Sequence, residues 1–244
     1  PKFDEYKNIF KKLPSKRDKL NFASKKLESR FYGNVDLAYM RVNVYEDNNI
    51  KLKDKYDGVM FLHDFMDAPH DYGKLLFNDF YEWTINTFEF ILRNNLNIGV
   101  KCHPNQTKES QVIVKNLVQK YPNIKWINSD INNKSIFESG IKFGFSVYGT
   151  ILSELAYHDI TPMASGDNPY SSYDFVYNCS SKEEYFNFLI KPQKIQIDKS
   201  QICEFYYMNY IYRDSIIKSI NKDILLKLDK EELNLKKFLK FNIL

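Results

Sequence analysis

Short apolar runs alternate with longer amphipathic segments through the middle of the chain. The apolar runs are rich in β-branched and aromatic residues and are bounded by glycine or polar residues, which predicts buried strands near 57–62, 98–102, 124–127, 143–147 and 161–164. The segments between them carry apolar residues at helical spacing, which predicts helices near 77–94, 108–120, 135–139 and 150–157. This alternation indicates an α/β fold, with a parallel sheet and helices on both of its faces.

Helix-rich segments flank this alternating region. We therefore predict a helical connecting or lid segment at 1–55, an α/β domain at 56–192 and a C-terminal helical extension at 193–244. The extension ends in the basic, amphipathic stretch LNLKKFLKFNIL. Such a helix either docks on its own domain, which we favour, or lies on an anionic membrane surface.

The composition narrows the compartment and the partners. Hydrophobic residues make up 43% of the chain, enough for a sizeable core, and the net charge of +4 is scattered, so no nucleic-acid partner is expected. Cys102, Cys179 and Cys203 are widely spaced without a CxxC pair, which predicts free thiols in a reducing, cytoplasmic compartment. The sequence contains no apolar run of the roughly 18 residues that a membrane helix needs. Because it begins at Pro1 without a methionine, we expect a fragment or a trimmed chain.

The segment 143–157 predicts an anion-binding site. A short strand leads through Gly149 and Thr150 into a helix, and at such a start the free backbone N–H groups and the helix dipole point outward together. Thr150 and Glu154 lie one turn apart and share a face. A hydroxyl at the anion end and a carboxylate one turn further suit a phosphate with a ribose attached. The loop at 165–172 can hold a phosphate or a sugar, or can be an ordinary surface loop.

Polar side chains also follow the first two predicted strands. His63 and Asp64 come directly after the first strand with Asp67 shortly beyond, and His103 and Pro104 follow the second. Ligands of open parallel sheets bind at the carboxyl ends of the strands, so we expect these residues to border one cleft with the anion site. There His103 can donate to a phosphate oxygen or protonate a leaving phosphate, and His63 or Asp67 can act as a general base.

Other classes of site fit the sequence less well. Imidazole and carboxylate groups, including His70, fall within eight residues at 63–70, but HxxxH and HxH spacings are missing, so we predict no metal site. Ser146 is not in a GxSxG motif, and the chain contains neither GxxxxGK[ST] nor GxGxxG. These facts disfavour a serine nucleophile elbow, a P-loop NTPase and an NAD-binding fingerprint.

Four stretches together resemble the donor-binding half of the capsular polysaccharide biosynthesis glycosyltransferases, which have the GT-B architecture of two Rossmann-like domains. They are FLHDFMDAPHDYGKLLFNDFYEWTINTF, VKCHPN, SVYGTILSELAYHDITPMASGDNPYSSYDF and KEEYFNFL. The likeness runs from Asp57 to Leu189, a little over half of the chain, and its combination of motifs is more specific than any one of them. One departure is that His158-Asp159 stands where the family commonly has a glycine before the next strand.

This resemblance implies a Rossmann-like parallel sheet flanked by helices, and a role for each matching residue. His103 would contact the phosphates of the donor nucleotide, and Glu154 would bind its ribose hydroxyls. The predicted nucleotide-sugar contacts are His103, Pro104, Ser146, Gly149, Thr150, Glu154, Gly166, Tyr170 and Ser171. The predicted catalytic residues, which face the same cleft, are His63, Asp64 and Asp67.

The resemblance also implies an activity. It is the transfer of a sugar from a nucleotide-sugar to a bacterial capsular or surface polysaccharide or to a lipid-linked glycan, without a metal or a cofactor. The site of action would be the cytoplasm, with peripheral contact at the inner membrane. We expect the nucleobase of the donor to be recognised near 128–134. We also expect an acceptor domain, with the residue that acts as the catalytic base, to lie outside these 244 residues. The alternatives are another nucleotide-sugar enzyme, either an epimerase or a transferase of phosphate-linked groups, and a non-catalytic module that docks on a partner.

Overall fold

The computed structural model describes residues 3–31, 50–68, 72–213 and 215–216. The strands are β1 (Gly58–Phe61), β2 (Ile98–Lys101), β3 (Lys125–Ile127), β4 (Phe143–Ser146), β5 (Thr161–Ala164) and β6 (Tyr177–Asn178). The helices are α1 (Phe3–Lys12), α2 (Lys16–Phe31), α3 (Phe80–Arg93), α4 (Lys108–Lys120), α5 (Asn133–Glu138), α6 (Ile151–Tyr157), α7 (Lys182–Ile190) and α8 (Lys199–Tyr206). A π-helical turn, Tyr207–Tyr212, continues α8.

All six strands are parallel and form one sheet in the order β3-β2-β1-β4-β5-β6. This is the strand order of the doubly wound Rossmann fold, so the predicted α/β fold with a Rossmann-like parallel sheet is confirmed. Gly58 of β1 pairs with Ile98 of β2 on one side and with Phe143 of β4 on the other. The direction of winding reverses between β1 and β4, so the carboxyl ends of these two strands flank the topological switch point.

Each face of the sheet is covered by its own helices, because successive side chains of a strand point to opposite faces. Met60 and Phe145 lie in the core shared with α3, α4 and α7, where Trp83 Nε1 donates to Tyr185 Oη at 2.9 Å. Phe61 lies in the opposite core, which α2, α5, α6 and α8 complete. A sheet that is enclosed on both sides explains why its strands are apolar runs in the sequence.

The helices from the two ends of the chain pack together on this second face. Both α1 and α2 contact α8 and the π-helical turn. Lys7 of α1 donates to the carbonyl of Ser172 at 2.7 Å, which ties this helical layer to the loop after β5. The layer draws on both segments predicted as extensions, 1–55 and 193–244. The domain boundaries themselves stay a prediction.

Within the described residues, no helix is long and apolar enough to cross a membrane. The basic stretch at the end of the sequence falls within 217–244, outside the part of the chain that the structure describes. The choice between docking of this stretch on the domain and contact with a membrane surface therefore stays a prediction.

The three cysteines are free thiols, as the sequence predicts. Cys179 and Cys203 are buried, and Cys102 is half-buried. Burial raises the pKa of each thiol, to about 12 for Cys179. The thiols are therefore protonated at neutral pH and act as small apolar groups in the packing.

The start of α6 differs from the starts of five other helices. In α3, α4, α5, α7 and α8 a side chain accepts a hydrogen bond from a backbone N–H of the first turn; these residues are Asp79, Thr107, Asn132, Ser181 and Asp198. Thr150 holds the same position before α6, with φ −57° and ψ −23°, and makes no such bond. The N-terminus of α6 is therefore not closed by its own capping side chain.

The end of α6 accounts for the departure at His158-Asp159. Asp159 has φ 59°, in the left-handed region, and its N–H donates to the carbonyl of Ala156 at 3.0 Å. Glycine adopts this conformation with the least strain, and aspartate is one of the few other residues that tolerate it. Asp159 thus holds a backbone conformation that a glycine would adopt with less strain.

Candidate functional site

His63 joins the two sides of the switch point. It lies just beyond β1, is 5% exposed, and stacks on Phe80 with 4.5 Å between ring centroids and 8° between ring planes. Its Nε2 accepts a hydrogen bond from the backbone N–H of Tyr148 at 3.3 Å, and the ring of Tyr148 packs against the imidazole at 4.6 Å. His63 therefore connects the end of β1 to the turn after β4.

Burial makes His63 a weak base. Desolvation lowers its pKa to about 3; the neighbouring charge of His103 acts in the same direction, and that of Asp64 opposes it. The imidazole is therefore neutral at physiological pH, and its proton lies on Nδ1 because Nε2 is the acceptor. A neutral ring that holds a backbone turn suits a positioning role better than general-base catalysis, and the predicted catalytic role of His63 stays a prediction.

The 148–150 turn, which consists of Tyr148, Gly149 and Thr150, is half-buried and leads into α6. A Cβ placed on Gly149 would lie 3.4 Å from Ser146 Oγ and 3.8 Å from His63 Cε1, which are ordinary contacts. Neighbouring atoms therefore do not require a glycine here. Its bare Cα leaves space toward the imidazole and the serine hydroxyl for a group that does not belong to the chain.

Asp64 is engaged in holding the loop between β2 and α4. It is 3% exposed, and its carboxylate accepts hydrogen bonds from Ser110 Oγ at 2.6 Å, from Thr107 N and Oγ1 at 2.5 and 3.1 Å, and from Met66 N at 2.8 Å. Burial acts to raise the pKa of Asp64, but these hydrogen bonds outweigh it, and the pKa lies below the usual value. Asp64 thus links β1 to α4 as an ionised carboxylate.

Asp67, the third predicted catalytic residue, is exposed. His70 lies outside the described residues. Among the residues that the structure describes, no group of three or more histidine, cysteine, aspartate or glutamate side chains could hold a metal ion. That the reaction needs no metal stays a prediction.

His103 stands at the end of β2 with one nitrogen free to donate. The residue is half-buried and is followed by the exposed Pro104. Its Nδ1 accepts a hydrogen bond from the N–H of Asn105 at 3.2 Å, so a neutral ring carries its proton on Nε2. The ends of β1 and β2 are adjacent in the sheet, with Phe61 paired to Lys101. The structure therefore brings both predicted histidines to one edge of the sheet.

Two other predicted residues lie deeper in the same region. Ser146 is 2% exposed and donates from Oγ to the carbonyl of Phe61 at 2.9 Å. Glu154, in α6, is also 2% exposed. Burial lowers the pKa of His158, and the charge of Glu154 opposes that shift. Both side chains are built into the wall of the site, and their contacts with a nucleotide stay predictions.

The 165–172 loop is held by its own side chains. Asn168, which is fully buried, donates from Nδ2 to the carbonyl of Gly166 at 2.8 Å and accepts from the N–H of Tyr170 at 2.8 Å. Gly166 pairs with Leu75, and a Cβ on it would lie 2.8 Å from Leu75 Cδ2 and 3.3 Å from Leu75 Cα. The glycine is therefore required for this close approach of two chain segments.

Tyr170 connects the 165–172 loop to the switch point. Its buried ring packs against Phe205 with 4.6 Å between centroids, and its hydroxyl donates to the carbonyl of Gly149 at 3.2 Å. Ser171 is exposed and donates to the carbonyl of Asn168 at 2.9 Å. Tyr170 thus acts on the site from behind, through the backbone of the 148–150 turn, and ligand contacts by this loop stay predictions.

Two residues that organise these loops were not singled out from the sequence. Asn168 had a usable signal, since asparagine between aspartate and proline is typical of a turn whose side chain bonds its own backbone. Lys101 had another, since a lysine in an otherwise apolar strand is buried only when its donors find partners. Asn168 bonds residues close to it in sequence, whereas the partners of Lys101 lie about 30 residues further on, so the role of Lys101 needed the fold.

No protein-family model matches the sequence, and no curated protein matches it. The structure is similar to that of Thermosulfurimonas dismutans KpsC, a β-Kdo 2,4 transferase, with a TM-score of 0.47 and 14% identity over 82% of this chain and 56% of that one. It is also similar to Methanocaldococcus jannaschii UDP-GlcNAc 2-epimerase, solved with UDP-GlcNAc and UDP, with a TM-score of 0.43 and 12% identity over 77% of this chain and 49% of that one. The chain spans about half the length of each.

Proposed function

We propose that this chain is the nucleotide-sugar-binding half of a GT-B glycosyltransferase that transfers a sugar to a bacterial capsular or surface polysaccharide. One observation carries the proposal. At the switch point of a doubly wound sheet, a half-buried glycine turn and a helix start without a capping side chain lie beside the imidazole of His63, and His103 ends the adjacent strand. Nucleotides bind in this place in doubly wound folds. The sequence resemblance of the same residues supports the choice of a nucleotide-sugar.

The phosphates of the donor would lie over the 148–150 turn. Their charge would be met by the N–H groups at the start of α6, by Nε2–H of His103 and by the Thr150 hydroxyl, which makes no capping bond. His63 keeps the N–H of Tyr148 fixed, so the turn does not need to reorganise when the phosphates bind. Donors fixed in advance stabilise the negative charge that develops on a leaving nucleotide.

The nucleoside would extend along the carboxyl edge of the sheet, on the side that carries α5 and α6. Glu154 would accept hydrogen bonds from the ribose hydroxyls, and the base would lie toward the loop after β3, near 128–134. The helices that follow these two regions lie on the same face of the sheet, since Ile136 of α5 and Leu152 of α6 belong to one core. A nucleotide that starts at the 148–150 turn could therefore reach both.

The three candidate catalytic residues divide into two kinds. His63 and Asp64 are buried and already bonded to backbone or side-chain groups, so we assign them to positioning the site. Asp67 is exposed. The base that activates the acceptor hydroxyl is then Asp67 or a residue outside these 244. Activity of the chain by itself would favour Asp67.

Nucleotide binding is the first test. We expect one of CMP, CDP, UDP and GDP to raise the melting temperature, which would identify the base. Calorimetry with that nucleotide should show a Kd about tenfold weaker in His103→Ala and in Glu154→Gln, since each loses a charge-assisted hydrogen bond. Glu183→Ala, which removes an exposed carboxylate at the start of α7, is the matched control and should bind as the unmodified protein does.

Each contrary result has a distinct meaning. Unchanged affinity in both folded site variants would place the nucleotide elsewhere. No stabilisation by any of the four nucleotides would favour the non-catalytic module. Incubation with a nucleotide-sugar and no acceptor separates the enzyme classes, because an epimerase converts the sugar under these conditions and a glycosyltransferase does not.

A further inference from the structure

Lys101, the last residue of β2, is a buried lysine with all its donors used on one loop. It is 7% exposed, and its ammonium donates to the carbonyls of Asn128, Ser129 and Ile131 at 2.9, 2.8 and 2.7 Å. A lysine ammonium has three N–H donors, and all three are engaged here. The acceptors fall within residues 128–131, the loop that follows β3.

The energetics make this arrangement specific to the loop. A buried ammonium costs several kcal/mol unless its donors are paired, and three carbonyls that converge without a partner are similarly unfavourable. Burial lowers the pKa of Lys101 to about 8, against the opposing influence of Cys102 and Asp130. The pairing of the strands does not need this side chain, since the backbones of β2 and β3 pair from Gly99–Lys125 to Lys101–Ile127. What the ammonium determines is the shape of the loop.

The loop is bonded to the ammonium on its inner side and is polar on its outer side. Its carbonyls turn inward to the ammonium, and the N–H of Asp130 donates to Asn128 Oδ1 at 3.0 Å. The residues Asn128, Ser129 and Asp130 are exposed, whereas Ile131 is buried. Lys101 therefore presents three polar side chains at fixed positions on the carboxyl edge of the sheet.

The position of this loop relates it to the candidate site. Lys101 lies two residues before His103 and alternates with Val100, so it projects to the face that carries α5 and α6. Two strand spacings, roughly 10 Å, separate the end of β3 from the end of β1. The loop thus borders the far end of the region in which the nucleoside is proposed to lie.

We propose that Lys101 is a positioning residue that fixes the 128–131 loop as the surface that recognises the base of the donor nucleotide. This inference rests on the proposed function and deepens it, because it assigns base selectivity to a residue that does not touch the ligand. Lys101 would set the preference among bases and leave the affinity for the phosphates unchanged, since these bind at the other end of the site.

The test compares Lys101→Met with Lys125→Met. Lys125 is on the neighbouring strand, is exposed, and donates to Asn97 Oδ1 at 2.7 Å, so its variant removes the same charge without touching the loop. Calorimetry with UDP, GDP and CDP measures base preference, and inorganic pyrophosphate serves as the same two phosphates without a nucleoside. We expect Lys101→Met to weaken the preferred nucleotide at least tenfold and to bring the three affinities within about threefold of each other. The affinity of Lys101→Met for pyrophosphate should change less than twofold, and all the affinities of Lys125→Met should match those of the unmodified protein.

Two results would overturn the inference. One is a folded Lys101→Met protein that keeps the original order and ratio of affinities; the other is an equal loss for pyrophosphate, which would mean general damage. If Lys101→Met does not fold, Lys101→Gln replaces it, because a neutral amide is easier to bury than an ammonium and keeps two donors. Unchanged ratios of the affinities for UDP, GDP and CDP in that variant would also overturn the inference. If the unmodified protein binds none of the nucleotides, the proposed function fails together with this inference. If the unmodified protein binds a nucleotide and the Lys101 variants keep its base preference, this inference alone fails.

Discussion

The 148–150 turn and the 165–172 loop follow adjacent parallel strands, and both combine a glycine with hydroxyl-bearing residues. The turn leaves bonding capacity unused, since Thr150 makes no capping bond and Gly149 is not crowded by its neighbours. In the loop, the Asn168 side chain bonds the loop backbone, and Gly166 is pressed against another segment of the chain. A similar composition has thus produced a turn with unused bonding groups in one place and a support for that turn in the other.

The difference comes from what covers each strand end. The end of β4 lies at the switch point, where neighbouring connections leave toward opposite faces and where doubly wound folds have their ligand crevice. The end of β5 is covered, because Leu76 N–H donates to the carbonyl of Ser165 at 3.2 Å and Lys7 donates to the carbonyl of Ser172 at 2.7 Å. In the covered loop the Asn168 side chain satisfies backbone groups, while the hydroxyls of Ser165 and Ser172 are buried without a hydrogen-bond partner among the described residues. We expect the polar groups of the turn to be satisfied by a ligand.

The largest effect is expected from Tyr170, which supports the turn from within the loop. Tyr170→Ala removes a fully buried ring packed against Phe205 and should lower the free energy of unfolding by about 4 kcal/mol, measured by urea denaturation. Tyr170→Phe keeps the ring, loses the bond to the carbonyl of Gly149, and should cost about 1 kcal/mol. Equal costs for the two variants would show that the hydroxyl, and not packing, ties the two regions together.

A second prediction uses pH to weaken the turn through His63. The unfolded imidazole titrates near 6.5 and the folded one near 3, so between these values the unfolded state binds more protons. The contribution of the neutral His63 to the free energy of unfolding is complete above pH 6.5 and is lost as the pH falls toward 3. Between pH 7 and pH 4 the resulting loss in the free energy of unfolding should amount to about 3 kcal/mol.

Chemical denaturation at a series of pH values in the unmodified protein and in His63→Phe checks this. The variant keeps an aromatic ring beside Phe80 but has no titrating group, so its stability should fall less steeply below pH 6.5. Carboxylates such as Asp64 titrate in both proteins and cancel in the difference. Parallel curves would mean that His63 is not held neutral in the folded state.

The smallest effect sharpens the comparison most directly, because it makes the same change in both regions. Gly166→Ala should cost about 2 kcal/mol, since its Cβ would meet Leu75, with little change in nucleotide affinity in the protein that stays folded. Gly149→Ala should change stability by less than about 0.5 kcal/mol and weaken nucleotide binding about tenfold. Denaturation and calorimetry on the same preparations give both quantities; the opposite pattern would exchange the roles of turn and loop.

The sequence was a good guide to the elements. The helix predicted at 108–120 is found at Lys108–Lys120, because Thr107 caps it and Pro122 follows it. The helix predicted at 77–94 begins later, at Phe80, since Asp79 accepts the N–H of Glu82 and so defines the first turn. Boundaries follow caps, and caps can be read locally.

The site was predictable only in its outline. Strand ends of a parallel sheet meet at one edge, so His63, His103 and the 148–150 turn could be placed together without coordinates. The sequence did not indicate that His63 bonds the N–H of Tyr148, 85 residues away, or that Lys101 bonds a loop about 30 residues further on. Those contacts depend on register and packing, which local patterns do not encode.

His63 and Asp64 show what the sequence determined and what only the tertiary structure decided. The sequence determined by itself that His63 and Asp64 follow a buried strand and emerge at the edge where ligands bind, because strand and helix periodicities are local properties. Only the tertiary structure decided that His63 is neutral, stacked on Phe80 in a site where desolvation dominates, while Asp64 is ionised and accepts four hydrogen bonds. The physical reason is that the charge of a buried group depends on the partners that packing supplies, and these partners come from other parts of the chain.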